Sequence, residues 1–313
     1  MTTSPSAFPP PSGEQYELRS GRYRAVATEV GATLRSFSRD GDALVDGFDI
    51  TAPSSAGRGQ VLAPWPNRLG DGRYTFDGRE GRAALNEPER RNAIHGLVRW
   101  LEWRPLSRAQ DFVVLGCVLH PQPAYPWRIE LRVEYRLSPA GLTVSTEVTN
   151  LTDTTAPFGL GFHPYLTVGT AAVDAALLRV PARRRLRADD RGLPIGDVAV
   201  SGTEYDFTTQ RLIGQMKLDT AYGELVRGGD GLSVAHLDPP PGSRRRGLTL
   251  WVDGGFHYFM VFTGDTLEPA SVHRRSVAIE PMTCPPDALR SGVHVIRIDP
   301  GGVWSGRWGI GTR

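Results

Sequence analysis

The stretch FGLGFHPYL, residues 158–166, places an imidazole in an open setting. Read as a strand, it points Phe158, Leu160 and Phe162 to one face and Gly159, Gly161 and His163 to the other. Pro164 then ends the ladder. A core histidine wants neighbours on its face, whereas a ligand ring wants the gap that two glycines leave. Glu280, in VAIEPMTCPPDAL, follows the apolar Val277, Ala278 and Ile279 and precedes Pro281. A carboxylate at the rim of a buried strand loses hydration, and its pKa rises toward the range of a general base. An ion pair with one of the many arginines is the structural alternative, and both readings stay open. His95, in NAIHGLVRW, is either a satisfied core histidine or a site residue. The glycine after it allows close backbone approach.

Other side chains offer binding rather than proton transfer. Asn67 and Arg68 precede a Gly-Asp-Gly turn in APWPNRLGDGRYTFDG. Turn chemistry accounts for them locally, while a guanidinium fork with paired donors suits hydroxyl ligands. Asp219, in MKLDTAY, reads from its local sequence as a turn or cap residue. His95, His163 and Glu280 have the types of a two-His, one-carboxylate metal set, but none of the close spacings of a dedicated metal motif. There is no glycine-rich phosphate loop leading into a helix and no GxSxG elbow. No cofactor and no metal are expected.

These groups need a scaffold, and period-two alternation supplies it. In RIELRVEYRL, Ile129, Leu131, Val133, Tyr135 and Leu137 share a face; after SPAG, LTVSTEV returns with Leu142, Val144 and Val148 in register. LTLWVDGGFHYFMVFTG reads as strand, turn and strand, with Phe256–Phe262 apolar on both faces, and VHVIRIDPGG as a final strand. The chain has 313 residues, 40% of them hydrophobic, with 36 glycines and 25 prolines that interrupt any long helical period. The expected fold is all-β: a large antiparallel β-sandwich with few short helices, formed by a single domain over residues 16–313. Residues 1–15, rich in Ser and Pro, read as a disordered tail.

A formal net charge of +2 does not point to nucleic acid. The arginine runs PARRRLR and GSRRRG, flanked by Pro or Gly, read as solvated loops. Two distant cysteines exclude a disulfide scaffold and fit a reducing compartment. Without a signal peptide or an apolar run long enough to span a bilayer, the expected location is the cytoplasm, with no membrane partner.

In chain order, Asn67-Arg68, His95-Gly96, Phe162-His163-Pro164-Tyr165, Leu218-Asp219-Thr220 and Ile279-Glu280-Pro281 resemble the aldose 1-epimerase (galactose mutarotase) family. The likeness runs from about residue 16 to 310, and VPARRRLRADDRGLPIGDVAVSGTEYDF resembles the segment before the family's aspartate. The resemblance implies a β-supersandwich with an open cleft on one sheet and a small-molecule sugar as substrate, in a monomer or homodimer. It implies Glu280 as general base toward the anomeric hydroxyl, His163 as general acid toward the ring oxygen, and His95 as a hydrogen-bonding support. Arg68 and Asp219 would grip sugar hydroxyls, and Asn67 would shape the same wall. Trp65, Trp100 and Tyr165 lie beside these motifs as candidates for stacking on a pyranose.

FHPY departs from the asparagine-rich context of galactose-specific members. Arg90 and Arg91 fit either a phosphorylated sugar, as in a hexose-6-phosphate 1-epimerase, or solvent. Two rivals share these residues: a non-catalytic carbohydrate-binding or regulatory protein, and a glycosidase with Asp219 and Glu280 as its carboxylate pair.

Overall fold

In the computed structural model, which describes residues 8–313, two antiparallel sheets form a sandwich around one hydrophobic core. The first has nine strands, in the order Arg104–Arg108, Phe112–Leu119, Ile129–Ser138, Gly141–Asn150, Val303–Thr312, Leu248–Val252, Ser233–Asp238, Leu177–Arg179 and Arg211–Leu212. The second is centred on Asp219–Leu225, Tyr258–Phe262 and Val277–Met282, and continues through Gly161–Phe162 to Val61–Leu62. Among the described residues, helix is confined to Ala288–Ser291 and three 3₁₀ turns, and none is long and apolar enough to cross a membrane. The all-β sandwich expected from the alternation is the observed fold.

The 129–148 hairpin has the expected register, with Leu137 opposite Leu142 and Tyr135 opposite Val144. Its inward residues Leu131, Val133, Tyr135 and Val144 are fully buried, each contributing about 1.5–3 kcal/mol by leaving water. The Asp253-Gly254-Gly255 turn does more than reverse the chain. It carries it from Leu248–Val252 in the nine-stranded sheet to Tyr258–Phe262 in the other. Phe259 and Val261 enter the main core, while Tyr258 and Met260 face the opposite side with Ala221 and Met282.

Three sequence readings are corrected. VHVIRIDPGG does hold a strand, Ile296–Ile298, but the last strand is Val303–Thr312, central in the nine-stranded sheet. Its glycines hide the alternation. Gly309 makes room for a cross-strand aromatic: a Cβ there would lie 2.6 Å from the Trp251 ring that covers it. PARRRLR is not a loop but part of the strand Ala182–Ala188, where the Arg185 guanidinium lies 3.6 Å from the Tyr205 ring centroid. Of the tail expected over residues 1–15, residues 1–7 lie outside the described residues. The following segment is held in place: Ser12 is buried, its carbonyl accepts from the Val30 N–H, and a strand starts at Gln15.

Candidate active site

The strand Val277–Met282 is buried along its whole length. Its alternation sends Val277 and Ile279 into the main core and leaves Ala278, Glu280 and Met282 on the outer face of the sheet. The chain enters that face again at residues 161–166, where Gly161 pairs with Met282 and Tyr165 with Ala278. His163 stands in the break between these two short pairings, and its Nε2 lies 3.3 Å from Glu280 Oε1. Arg68 and His95 arrive together on a two-stranded ribbon in which Arg68 pairs with Ile94. Asn67, in the left-handed region at φ 53, accepts the Arg68 N–H on its side-chain oxygen and the His95 N–H on its carbonyl. Asn67 therefore shapes the backbone that presents its two neighbours. Asp219 begins the neighbouring strand opposite Phe262.

All six residues singled out in the sequence line one cleft of about 700 Å³: Asn67, Arg68, His95, His163, Asp219 and Glu280. The His95 and His163 rings meet edge to face at 5.3 Å, and Arg68 Nη1 lies 3.6 Å from Asp219 Oδ2. His95 Nδ1, His163 Nδ1 and Glu280 Oε2 are buried with no hydrogen-bond partner among the described residues. Buried polar atoms are nearly always paired, so three such atoms in one cleft mark a place prepared for a polar ligand.

Comparison with known proteins gives the family and the fold. The family model "Aldose 1-epimerase" matches residues 14–310. The chain belongs to the aldose 1-epimerase family. The uncharacterized protein YihR of Escherichia coli K12 is 31% identical over 294 residues, 93% of this chain and 90% of that protein. Galactose mutarotase of Bos taurus is 27% identical over 210 residues, 62% of this chain and 60% of the mutarotase. A solved aldose epimerase homologue from C. elegans superimposes with a TM-score of 0.84 at 18% identity, covering 96% of this chain and 98% of its own. At that identity the likeness is one of fold.

In this aldose 1-epimerase fold, burial dominates the electrostatics of the site. It pushes the Glu280 carboxyl well above the usual carboxylate range; nearby Asp219 adds to the rise and Arg68 opposes it. Burial lowers the His163 imidazole to about 3, with the positive charge of Arg58 acting in the same direction. His95 is likewise held well below the ordinary histidine value, by burial first and then by His163. Burial thus favours the uncharged form of both groups, the carboxylic acid of Glu280 and the neutral imidazole of His163, across their 3.3 Å contact.

The residues that hold these groups were mostly silent in the sequence. Glu87 grips Arg68 through both carboxylate oxygens, at 3.0 Å to Nε and 3.0 Å to Nη2. Asn92 Nδ2 donates to Glu87 Oε2 at 2.8 Å. Tyr165, first a candidate for stacking on sugar, instead stacks on His163 at 4.8 Å and 16°. Arg58 lies over the Tyr165 ring at 4.1 Å and is anchored by Asp46 at 2.9 Å. Gly57, at φ +73, leaves the space the imidazole occupies, since a Cβ there would lie 2.6 Å from His163 Cδ2.

The glycines of FGLGFHPYL act differently from the sequence reading. A Cβ on Gly161 would lie 2.7 Å from Pro66 Cβ, and one on Gly159 2.5 Å from Cys284 Sγ. Their bare face is filled by protein rather than open to a ligand. Of the other stacking candidates, Trp65 is buried and Trp100 exposed, and neither lines the cleft. Arg90 lines it, whereas Arg91 is exposed and paired with Asp71.

Proposed function

We propose that the protein is a mutarotase that interconverts the α and β anomers of an aldohexose or related sugar by acid–base ring opening. The observation that carries this reading is the buried His163–Glu280 contact of 3.3 Å on the floor of a cleft walled by Arg68 and Asp219. Anomer exchange moves one proton off O1 and one onto O5. The Glu280 carboxylate takes the proton from O1 as the C1=O bond forms. The C1–O5 pair goes to O5, which takes a proton from His163. Rotation about C1–C2 and the reverse steps give the other anomer.

Protonated Glu280 beside neutral His163 and ionised Glu280 beside imidazolium have the same net charge and differ by one proton moved across the contact. Sugar hydroxyls that hydrogen-bond to the Glu280 carboxylate and the His163 Nε2–H offset the cost of the charged form. His95 supports the charge shift near O5. Arg68 Nη1 and Asp219 hold hydroxyls on the far side of the ring, and Asn67 keeps that wall in shape. Neither step needs a metal or a nucleotide. Sugars mutarotate unaided in water, so positioning with concerted proton transfer is sufficient.

The test is NMR or polarimetry of freshly dissolved, anomerically pure sugars with and without the protein. A panel of glucose, galactose, arabinose, xylose and glucose 6-phosphate covers neutral aldoses and, because Arg90 lines the cleft, a phosphorylated one. The expected result is an accelerated approach to anomeric equilibrium that survives EDTA. No acceleration across the panel would replace this reading with that of a sugar-binding protein, and release of sugar from an aryl glycoside would favour a glycosidase.

A further inference from the structure

The cleft does not close at Arg68 and Asp219. These two residues and Arg90 also line a second cavity of about 250 Å³. That cavity shares Leu186, Pro194 and Pro286 with a third of about 430 Å³. All three lie on one face of the same two paired strands. Along Tyr258–Phe262, Phe262 lines the cleft, Met260 the second cavity and Tyr258 the third. Along Asp219–Leu225, Asp219, Ala221 and Gly223 follow the same sequence of cavities. Asp219 is opposite Phe262 and Ala221 opposite Met260, so each same-face step advances the groove by about 7 Å.

The groove has the build of a carbohydrate site. Its floor is apolar: Ala221, Tyr258, Met260 and Met282 form a cluster separate from the main core, with Leu186 packed on it. Arg187, Asp189 and Asp190 line the second cavity, and the far end adds a few polar groups. Arg184 sits between Asp197 and Glu224, and the Tyr258 hydroxyl lies 3.0 Å from His294 Nδ1. Apolar surface with a few placed polar groups suits sugars, whose C–H faces and hydroxyl edges alternate.

Ring geometry gives the groove its direction. In a pyranose, C4 lies across the ring from C1, and C3 across from O5. With O1 at Glu280 and O5 at His163, O3 and O4 are directed toward Arg68 and Asp219 and so toward the groove. O6 hangs from C5, next to O5, and is directed elsewhere. Ring opening involves only C1, O1 and O5, so the chemistry tolerates a substituent at O3 or O4.

Resting on the proposed function, we infer that the groove binds the second and third sugar units of a reducing oligosaccharide whose reducing-end aldose is linked through O3 or O4. The experiment compares KM and kcat for anomerisation of glucose with those for maltotriose and cellotriose (O4-linked), laminaritriose (O3-linked) and isomaltotriose (O6-linked). At least one O3- or O4-linked trisaccharide is expected to have a KM about tenfold below that of glucose at similar kcat, with isomaltotriose showing no gain. Leu186→Trp, which fills the second cavity, should raise the trisaccharide-to-glucose KM ratio about fivefold or more. No gain for any O3- or O4-linked trisaccharide overturns the inference, as does an equal gain for isomaltotriose. The wild-type comparison decides the matter if the variant does not fold. If no sugar is turned over, the proposed function fails, and calorimetric titration of the wild-type protein with the same trisaccharides tests the groove separately. Binding of an O3- or O4-linked trisaccharide in preference to glucose and isomaltotriose then supports it, and its absence overturns it.

Discussion

Nε2 of His163 lies 3.3 Å from Oε1 of Glu280, and both side chains are almost wholly shielded from solvent. Burial shifts the two groups in opposite directions, raising the carboxyl and lowering the imidazole. Both shifts favour the uncharged forms, and two groups this close titrate as a pair rather than singly.

The pH–rate profile should be broad. Because His163 is lowered from 6.5 to about 3 and Glu280 is raised well above 4.5, kcat/KM should be nearly flat between the ordinary carboxylate and histidine values. The acid limb should lie below the ordinary carboxylate value. A rate that tracks a single group of pKa near 6.5 contradicts these shifts.

Glu280→Gln and His163→Asn should each lower kcat by roughly 10²–10⁴-fold, the usual worth of general acid–base help. Each should leave the β-rich circular dichroism spectrum unchanged. If both variants retain wild-type rates, the proton-transfer roles are wrong.

Stability should carry the same signature with opposite signs for the two residues. Above the ordinary carboxylate pKa, the unfolded chain ionises at Glu280 while the native state keeps its proton, so this residue costs stability as pH rises. Glu280→Gln should melt above wild type at pH 8, with the gain fading toward pH 4. Below pH 6.5 the unfolded chain protonates at His163 while the native state does so only near 3, so that cost grows as pH falls. His163→Asn should gain relative stability on acidification. Thermal melts at pH 4, 6 and 8 check both, and pH-independent differences refute the assignment.

Gly57→Ala should damage both stability and rate. Its left-handed backbone alone costs about 1–2 kcal/mol for an L side chain. The added Cβ would lie 2.6 Å from His163 Cδ2 and force the imidazole away from Glu280. A variant with lowered Tm but wild-type kcat shows that the position of the ring is not critical.

Arg68→Lys should raise KM more than it lowers kcat. A lysine cannot span both oxygens of Glu87 while still directing a donor at Asp219. Glu87→Gln should shift KM in the same direction by a smaller factor, because the amide keeps shape but loses charge. Initial-rate kinetics for the two variants decides this, and an unchanged KM in Arg68→Lys removes the guanidinium from sugar binding.

Much of the architecture was legible in local patterns. The alternation of 129–148 fixed which side chains point inward, and that set its register in the sheet. The alternation of Val303–Thr312 is masked by its glycines; Gly309 makes room for Trp251 of the neighbouring strand, and a local pattern cannot report a neighbour. The Ala182–Ala188 strand was hidden for a similar reason: its arginines are accommodated by Tyr205 and Asp197, which come from other segments.

The sequence by itself determined the all-β sandwich, the family, and six of the side chains that line the cleft. Each of these rests on residue type and local order. Tertiary structure alone decided what the glycines around His163 do, that Tyr165 stacks on an imidazole, that Glu87 orients Arg68, and that the cleft continues over Met260 and Tyr258. Contacts between residues far apart in the chain depend on how strands cross and how closely backbones approach, and burial, which governs the Glu280–His163 proton, exists only once the sheets have closed over it.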